Sequence, residues 1–189
     1  VSARGRADLV VPGGRSPARL FAALRARGLP ASTWRIHLAD ERCVPADDPR
    51  RNALAVASGL GSVPLGPPPL TDPVATATAW SVALADLDAF DVVVLGLGAD
   101  GHVASIFPDD AVPLDRHAPA AVPAGPTAPT PARVTLSAAR LRRTRALLVV
   151  VDGPGKDRAV DRLRRGEDDG LPTSALAGPP RWLVDLRGP

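Results

Sequence analysis

Methionine and tyrosine are absent from this 189-residue chain, and cysteine and lysine each occur once. The lone cysteine, Cys43, excludes an internal disulfide and fits a reducing compartment, so a cytoplasmic protein is expected. Its neighbours are Asp40, Glu41 and Arg42, with no adjacent histidine to activate it, so an incidental or structural thiol is expected. Aromatic residues make up only 3% of the chain, too few for a base-stacking platform. The net charge is +3, but the arginines are interspersed with acids rather than gathered on one stripe, so no nucleic-acid partner is expected. No apolar run approaches the ~20 residues of a membrane span. No charged segment followed by an apolar stretch opens the chain as a secretion signal would. Because the sequence starts at Val1 without any methionine, its natural start is expected upstream, and an N-terminal helix is expected to be missing.

What is present reads as one α/β domain over residues 1–189, long enough to bury a proper core. Ala7 to Val11 is a short apolar strand running into Pro12-Gly13-Gly14-Arg15-Ser16-Pro17. Ser16 suits an N-cap and Pro17 the first helical position, which predicts a helix to about Arg27 with Leu20, Phe21, Ala23 and Leu24 inward and Gly28 closing it. Such a strand–glycine loop–helix unit suits an anion, although an ordinary connecting turn has the same look. Trp34 to Leu38 is a second strand with Asp40-Glu41-Arg42 at its carboxyl end, where an arginine held by neighbouring acids suits a bidentate clamp on a phosphate or carboxylate, and a solvated loop is the plainer alternative. Helices are expected over Arg50 to Gly59 and over Asp72 to Leu87, the latter with Val74, Ala77, Val82 and Leu84 toward the core.

Further on, Pro119 to Pro131 reads as a low-complexity surface connection. Arg133 to Leu136 is a strand, Ser137 caps a short helix, and Arg145 to Val151 is an apolar strand expected to be buried on both faces. Gly153-Pro154-Gly155-Lys156 opens a helix to about Arg165. A helical piece over Leu171 to Ala177 and a strand over Trp182 to Leu186 complete the chain. Alternating strands and helices predict a three-layer α/β sandwich with a largely parallel sheet. Parallel strands would bring the polar strand ends to one edge, where open α/β folds bind ligands.

Asp91 to Pro108 carries the most specific signal. It is a buried strand ending in a glycine-rich turn that delivers Asp100 and His102 to one spot. A histidine at such a strand end can carry a proton near neutral pH, while a purely structural turn histidine is the plainer alternative. Gly96-Leu-Gly-Ala-Asp-Gly101 also spells G-x-G-x-x-G, with Asp115 further along. The dinucleotide fingerprint needs a full crossover helix after the glycines, and Pro108 stops any helix too soon. No NAD site is expected. His37, His102 and His117 stand apart from the cysteine and from one another, so no metal is expected.

These residues, in order along nearly the whole chain, resemble the 6-phosphogluconolactonase family, which groups with glucosamine-6-phosphate isomerase/deaminases and ribose-5-phosphate isomerases and implies a Rossmann-like three-layer sandwich. The matching pieces are Gly13-Gly14-Arg15-Ser16-Pro17, Asp40-Glu41-Arg42-Cys43-Val44-Pro45, Asn52, Leu95 through Pro108, Arg133-Val134-Thr135-Leu136 and Gly155-Lys156. The resemblance implies hydrolysis of 6-phospho-D-glucono-1,5-lactone to 6-phosphogluconate in the oxidative pentose phosphate pathway, with no cofactor. It implies His102 as general base and Asp100 as its partner. Gly13, Gly14, Arg15, Ser16, Asp40, Arg42, Asn52, Gly98, Gly101, Arg133 and Lys156 would bind substrate. The phosphate would fall to the Gly13–Ser16 loop with Arg42 and Lys156, and the oxyanion to amides around Gly98 and Gly101 or to an arginine. A small sugar-phosphate lactone is the expected partner, and the protein is expected to be a monomer or a weak homo-oligomer.

Two alternatives stand beside this reading: a deaminase-like enzyme, and a non-catalytic sugar-phosphate-binding module. Similar deaminases carry a glutamate a few residues after the histidine, and Val103 to Pro108 has none. The chain also departs from the family pattern. Arg15 stands where a small hydroxyl residue is usual, and Arg51 where a serine precedes the asparagine.

Overall fold

The computed structural model describes residues 5–13, 16–28, 33–61, 66–67, 71–108, 117–124, 131–165, 176 and 181–185. Strands β1 (Ala7–Val11), β2 (Trp34–Leu38), β4 (Phe90–Gly96), β7 (Thr144–Asp152) and β8 (Arg181–Asp185) form a five-stranded sheet in the order β2-β1-β4-β7-β8. Every pairing in it is parallel. Helices α1 (Ser16–Ala26) and α2 (Asn52–Leu60) pack on one face, where Val11, Ile36 and Leu38 meet Phe21, Val56 and Leu60. On the other face, Val10, Val93, Leu95 and Val149 meet Ala77 and Trp80 of α3 (Pro73–Ala83), Leu141 of α4 (Ala138–Arg142) and Ala159 of α5 (Asp157–Arg164). The three-layer expectation therefore holds. Among the described residues no helix is long and apolar enough to cross a membrane.

A second sheet was not legible in the sequence. Strands β3 (Asp40–Arg42), β6 (Arg133–Thr135) and β5 (Ala120–Val122) pair antiparallel in the order β3-β6-β5. The charged stretch placed at the end of the second strand is thus a short strand of its own, and part of the proline-rich connection is another. Burial of so polar a strand is tolerated because its carboxylates are fully employed. Glu41, 1% exposed, accepts from the backbone N–H of Asn52 and Ala53 at 2.7 and 2.9 Å. It thereby caps α2, whose own N-cap residue, Arg51, makes no side-chain cap bond.

Helix α3 corrects a second expectation. Asp72 is its N-cap, accepting from Ala75 N at 2.6 Å, and the helix ends at Ala83 rather than Leu87. Val74 and Val82 are 65% and 74% exposed, while Thr76, Ala77 and Trp80 are buried. The helix phase follows its bulkiest apolar side chain, Trp80, whose i−3/i−4 neighbours are Ala77 and Thr76. In β7 only Val149 and Val151 are buried and their neighbours are half-buried, so cover is less complete than expected. Ala23 faces solvent, whereas Phe21 is buried as expected. The helical piece at Leu171 to Ala177 lies outside the described residues, Leu176 excepted.

Candidate active site

The apolar run of β4 ends at Gly96, and the chain then makes two tight turns instead of a helix. Gly98 N donates to His102 O at 2.8 Å and Gly101 N to Gly98 O at 3.1 Å. Gly101 sits at φ 96°, a conformation that side chains disfavour. Val103 and Ile106 then bridge antiparallel around Ala104 and Ser105, with Ala104 at φ 52°. A left-handed alanine costs roughly 1–2 kcal/mol, so this turn is held in place by its surroundings. Among the described residues no helix opens at these glycines, as the dinucleotide fingerprint requires.

These turns bring Asp100 and His102 together. Asp100 Oδ1 lies 2.6 Å from His102 Nδ1 and accepts from His102 N at 3.1 Å. A carboxylate only accepts, so Nδ1 carries the ring proton and Nε2 is left with the basic lone pair. Burial pushes the Asp100 carboxyl up, but the His102 N–H and imidazole outweigh it and hold it below its ordinary value. No residue larger than glycine fits at position 98 while the Asp100 and His102 side chains stand where they do. A Cβ there would stand 2.1 Å from His102 Nδ1 and 2.6 Å from Asp100 Oδ1. The imidazole packs on Phe107 with ring centroids 4.8 Å apart, and the Arg133 guanidinium lies over Phe107 at 5.3 Å.

His102 opens on a cleft of about 170 Å³ at the carboxyl edge of the main sheet. Pro12, Gly13 and Pro17 wall it from the first loop, Gly96 and Gly98 from the end of β4, and Asp40, Arg42 and Arg133 from the small sheet. Seven expected site residues thus meet there: Gly13, Asp40, Arg42, Asn52, Gly98, His102 and Arg133. Arg42 and Arg133 are directly paired across β3 and β6. Two cations at facing positions repel, an arrangement that an anion between them would relieve. Burial draws the Arg133 guanidinium below the ordinary arginine value, Arg42 adding to this and Asp40 and Asp100 opposing it. Arg42 NH1 donates to Arg50 O at 2.5 Å, while its buried Nε has no partner among the described residues.

Several expectations change in detail. The amides of Gly98 and Gly101 are spent within the turn, so neither is free for an oxyanion. Asp40 lines the cleft, yet its oxygens accept from Asn52 Nδ2 at 3.1 Å and Ser105 Oγ at 2.6 Å. Lys156 precedes α5 beyond the end of β7 and is half-buried, but it does not line this cleft. Gly14 and Arg15 lie outside the described residues, as does the Ser16 side chain, although Ser16 opens α1 as expected. Sequence reasoning overlooked Pro12, Pro17 and Ala104 in the wall and Ser105 behind it. The only available signal was their adjacency to the glycine loop and to His102.

The remaining candidates stay away from the cleft. His37 is buried, with Nε2 2.7 Å from Asp8 Oδ1 and its ring edge-on to Phe90. His117 is exposed. Cys43 is buried, and that burial pushes its thiol above the ordinary value, so it is no nucleophile.

A strand-end cleft with an Asp–His pair and facing arginines has the chemistry of an α/β enzyme site suited to a small anion. The chain belongs to the family of glucosamine-6-phosphate isomerases/6-phosphogluconolactonase, whose model matches residues 1–183. It is 32% identical to the 6-phosphogluconolactonase of Mycobacterium tuberculosis over 209 aligned residues, covering 98% of this chain and 85% of that protein. The structure superposes on a 6-phosphogluconolactonase from Shewanella baltica with a TM-score of 0.79 at 31% identity, covering 99% and 85% of the two chains. For the Trypanosoma brucei 6-phosphogluconolactonase the TM-score is 0.82 at 26% identity, covering 95% and 83%.

Proposed function

We infer that this chain hydrolyses 6-phospho-D-glucono-1,5-lactone to 6-phospho-D-gluconate, a step of the oxidative pentose phosphate pathway. The observation that carries this reading is the Asp100–His102 pair, which leaves a basic Nε2 on a cleft that also presents Arg42 and Arg133. Water attacks the lactone C1 while His102 Nε2 takes its proton, and the carbonyl electrons move onto oxygen. Collapse of the tetrahedral adduct re-forms the carbonyl and breaks the bond from C1 to the ring oxygen. The imidazolium returns its proton to that oxygen, which becomes a hydroxyl, and the new carboxylic acid ionises to solvent. Asp100 steadies the imidazolium between the two transfers.

Arg133, which like His102 lies against the Phe107 ring, is assigned to the developing oxyanion. Arg42 and the Gly13 loop at the start of α1 are assigned to the phosphate, with Lys156 as a further cation on that edge. Absence of any carboxylate from Val103 to Pro108 favours hydrolysis over deaminase chemistry. The reading also carries a cytoplasmic location and a monomer or weak homo-oligomer, which light scattering over a concentration series reads directly.

Lactone generated by glucose-6-phosphate dehydrogenase tests the reading. Turnover above spontaneous hydrolysis is expected, and His102→Gln should lower kcat by about 10²–10⁴-fold. Arg42→Gln should instead weaken the affinity for 6-phosphogluconate. Unchanged turnover in His102→Gln refutes the general-base assignment.

A further inference from the structure

Ser105 has no exposed surface, and its hydroxyl is donated to Asp40 Oδ2 at 2.6 Å, within the range of a strong charge-assisted bond. Its backbone N–H reaches Thr135 Oγ1 at 3.3 Å. Both partners belong to the small sheet, Asp40 on β3 and Thr135 on β6. The other oxygen of Asp40 takes Asn52 Nδ2, and Asn52 is itself buried where it meets Gly13, since a Cβ on Gly13 would stand 1.9 Å from Asn52 Oδ1. A continuous buried strut, Asn52–Asp40–Ser105, therefore runs from the first glycine loop to the turn that follows His102. That turn includes Ala104 in the left-handed region, a conformation that persists only when neighbouring contacts enforce it. Phe107, against which the His102 ring packs, leaves the same turn.

We propose that Ser105 is a positioning residue for the His102 base: its hydroxyl, fastened to Asp40, locks the strained Ala104–Ser105 turn to the small sheet and so sets where the imidazole stands over the cleft. Ser105 touches no reacting atom in this scheme. The proposal rests on the lactonase reading for its kinetic consequence, but the placement of the ring can be read without turnover. Without the tie, the left-handed alanine relaxes, and the turn, Phe107 and His102 shift together. Glycine adopts positive φ without a tie, so glycine at position 104 should restore the turn even when the Ser105 hydroxyl is gone.

Ser105→Ala is expected to lower kcat by about 10–100-fold, in line with the effect of an ångström-scale misplacement, while KM stays within about twofold. Ser105→Cys, of similar size with a weak donor, should fall between wild type and Ser105→Ala, and guards against a failure of the alanine variant to fold. Ala104→Gly combined with Ser105→Ala should recover a substantial part of the lost kcat. Long-range ¹H–¹⁵N spectra of the imidazoles supply the readout that is independent of activity. The His102 ring signals should shift or broaden in Ser105→Ala and return in the double variant. His102 signals that match wild type in Ser105→Ala, a loss confined to KM, or no recovery with Ala104→Gly would each overturn the positioning role. A wild-type protein inert toward the lactone would sink the proposed activity, and the ring spectra would still decide the role of Ser105.

Discussion

Replacing Gly98 with alanine places a methyl group where the Asp100–His102 pair meets. Its Cβ would lie 2.1 Å from Nδ1 and 2.3 Å from Cε1 of His102, against ordinary contact at 3.4 Å and beyond, so the ring must withdraw by more than an ångström. Gly98 does not occupy the left-handed region, so the backbone accepts alanine and the cost falls on the side-chain pair. The ring can yield: the side chains of His102 and Asp100 are 32% and 54% exposed, and their ion pair is screened by solvent. Stability should therefore fall by no more than about 1 kcal/mol. Catalysis should suffer far more, because a displacement of this size breaks the alignment of the base with its water. A kcat loss of about 10²–10³-fold is expected, equivalent to roughly 2.7–4 kcal/mol of transition-state stabilisation. Lactone disappearance corrected for spontaneous hydrolysis measures the rate, calorimetry with 6-phosphogluconate measures the phosphate site, and a thermal melt reports the fold. A folded Gly98→Ala protein with kcat within about threefold of wild type would refute the geometric argument.

Two further perturbations probe other parts of the molecule. Gly13→Ala would press its Cβ to 1.9 Å from Asn52 Oδ1, and Asn52 is pinned by Asp40, so the loop must move. Affinity for 6-phosphogluconate should drop by about tenfold or more; an unchanged calorimetric Kd would show that this loop does not hold the anion. Acidification should destabilise the fold in two windows. Burial holds the His37 imidazole below its ordinary 6.5 against the opposing pull of Asp8. Below pH 6.5 the unfolded chain therefore binds a proton that the folded chain refuses, and stability declines by up to about 1.4 kcal/mol per pH unit. Burial pushes the Asp8 carboxyl up, but Arg35 and His37 outweigh this and keep it below 3.8, so a second decline sets in beneath that pH. Urea melts from about pH 8 to pH 5 should show the first decline in wild type and lose it in His37→Gln; parallel curves would contradict the assignment.

Much of the site was legible because its chemistry sits in short, contiguous pieces. Asp100, Gly101 and His102 lie within one turn, and their meeting follows from a tight glycine turn at a strand end. The Gly13 loop and the N-terminus of α1 were equally local, following from an apolar strand, two glycines and a Ser-Pro pair. The register of α3 was misread because Val74 and Val82 look more apolar than Thr76, yet the volume of Trp80 sets the phase. Strand β3 was not separated from the end of β2 because three consecutive charged residues carry no strand pattern, while their partners, Asn52, Ala53 and Ser105, lie 11 to 65 positions away.

Alternating apolar strands and capped helices determined by themselves that the chain would form a parallel-sheet sandwich with its polar strand ends on one edge, since periodicity and capping are local properties. The same local order determined that one acid and one imidazole would share a turn. Tertiary structure alone decided that Asp40 becomes a buried strut and that Arg42 faces Arg133. Each of these depends on β3, β5 and β6 pairing across long sequence separations, and no local pattern encodes which distant carbonyl, hydroxyl or guanidinium will satisfy a buried group.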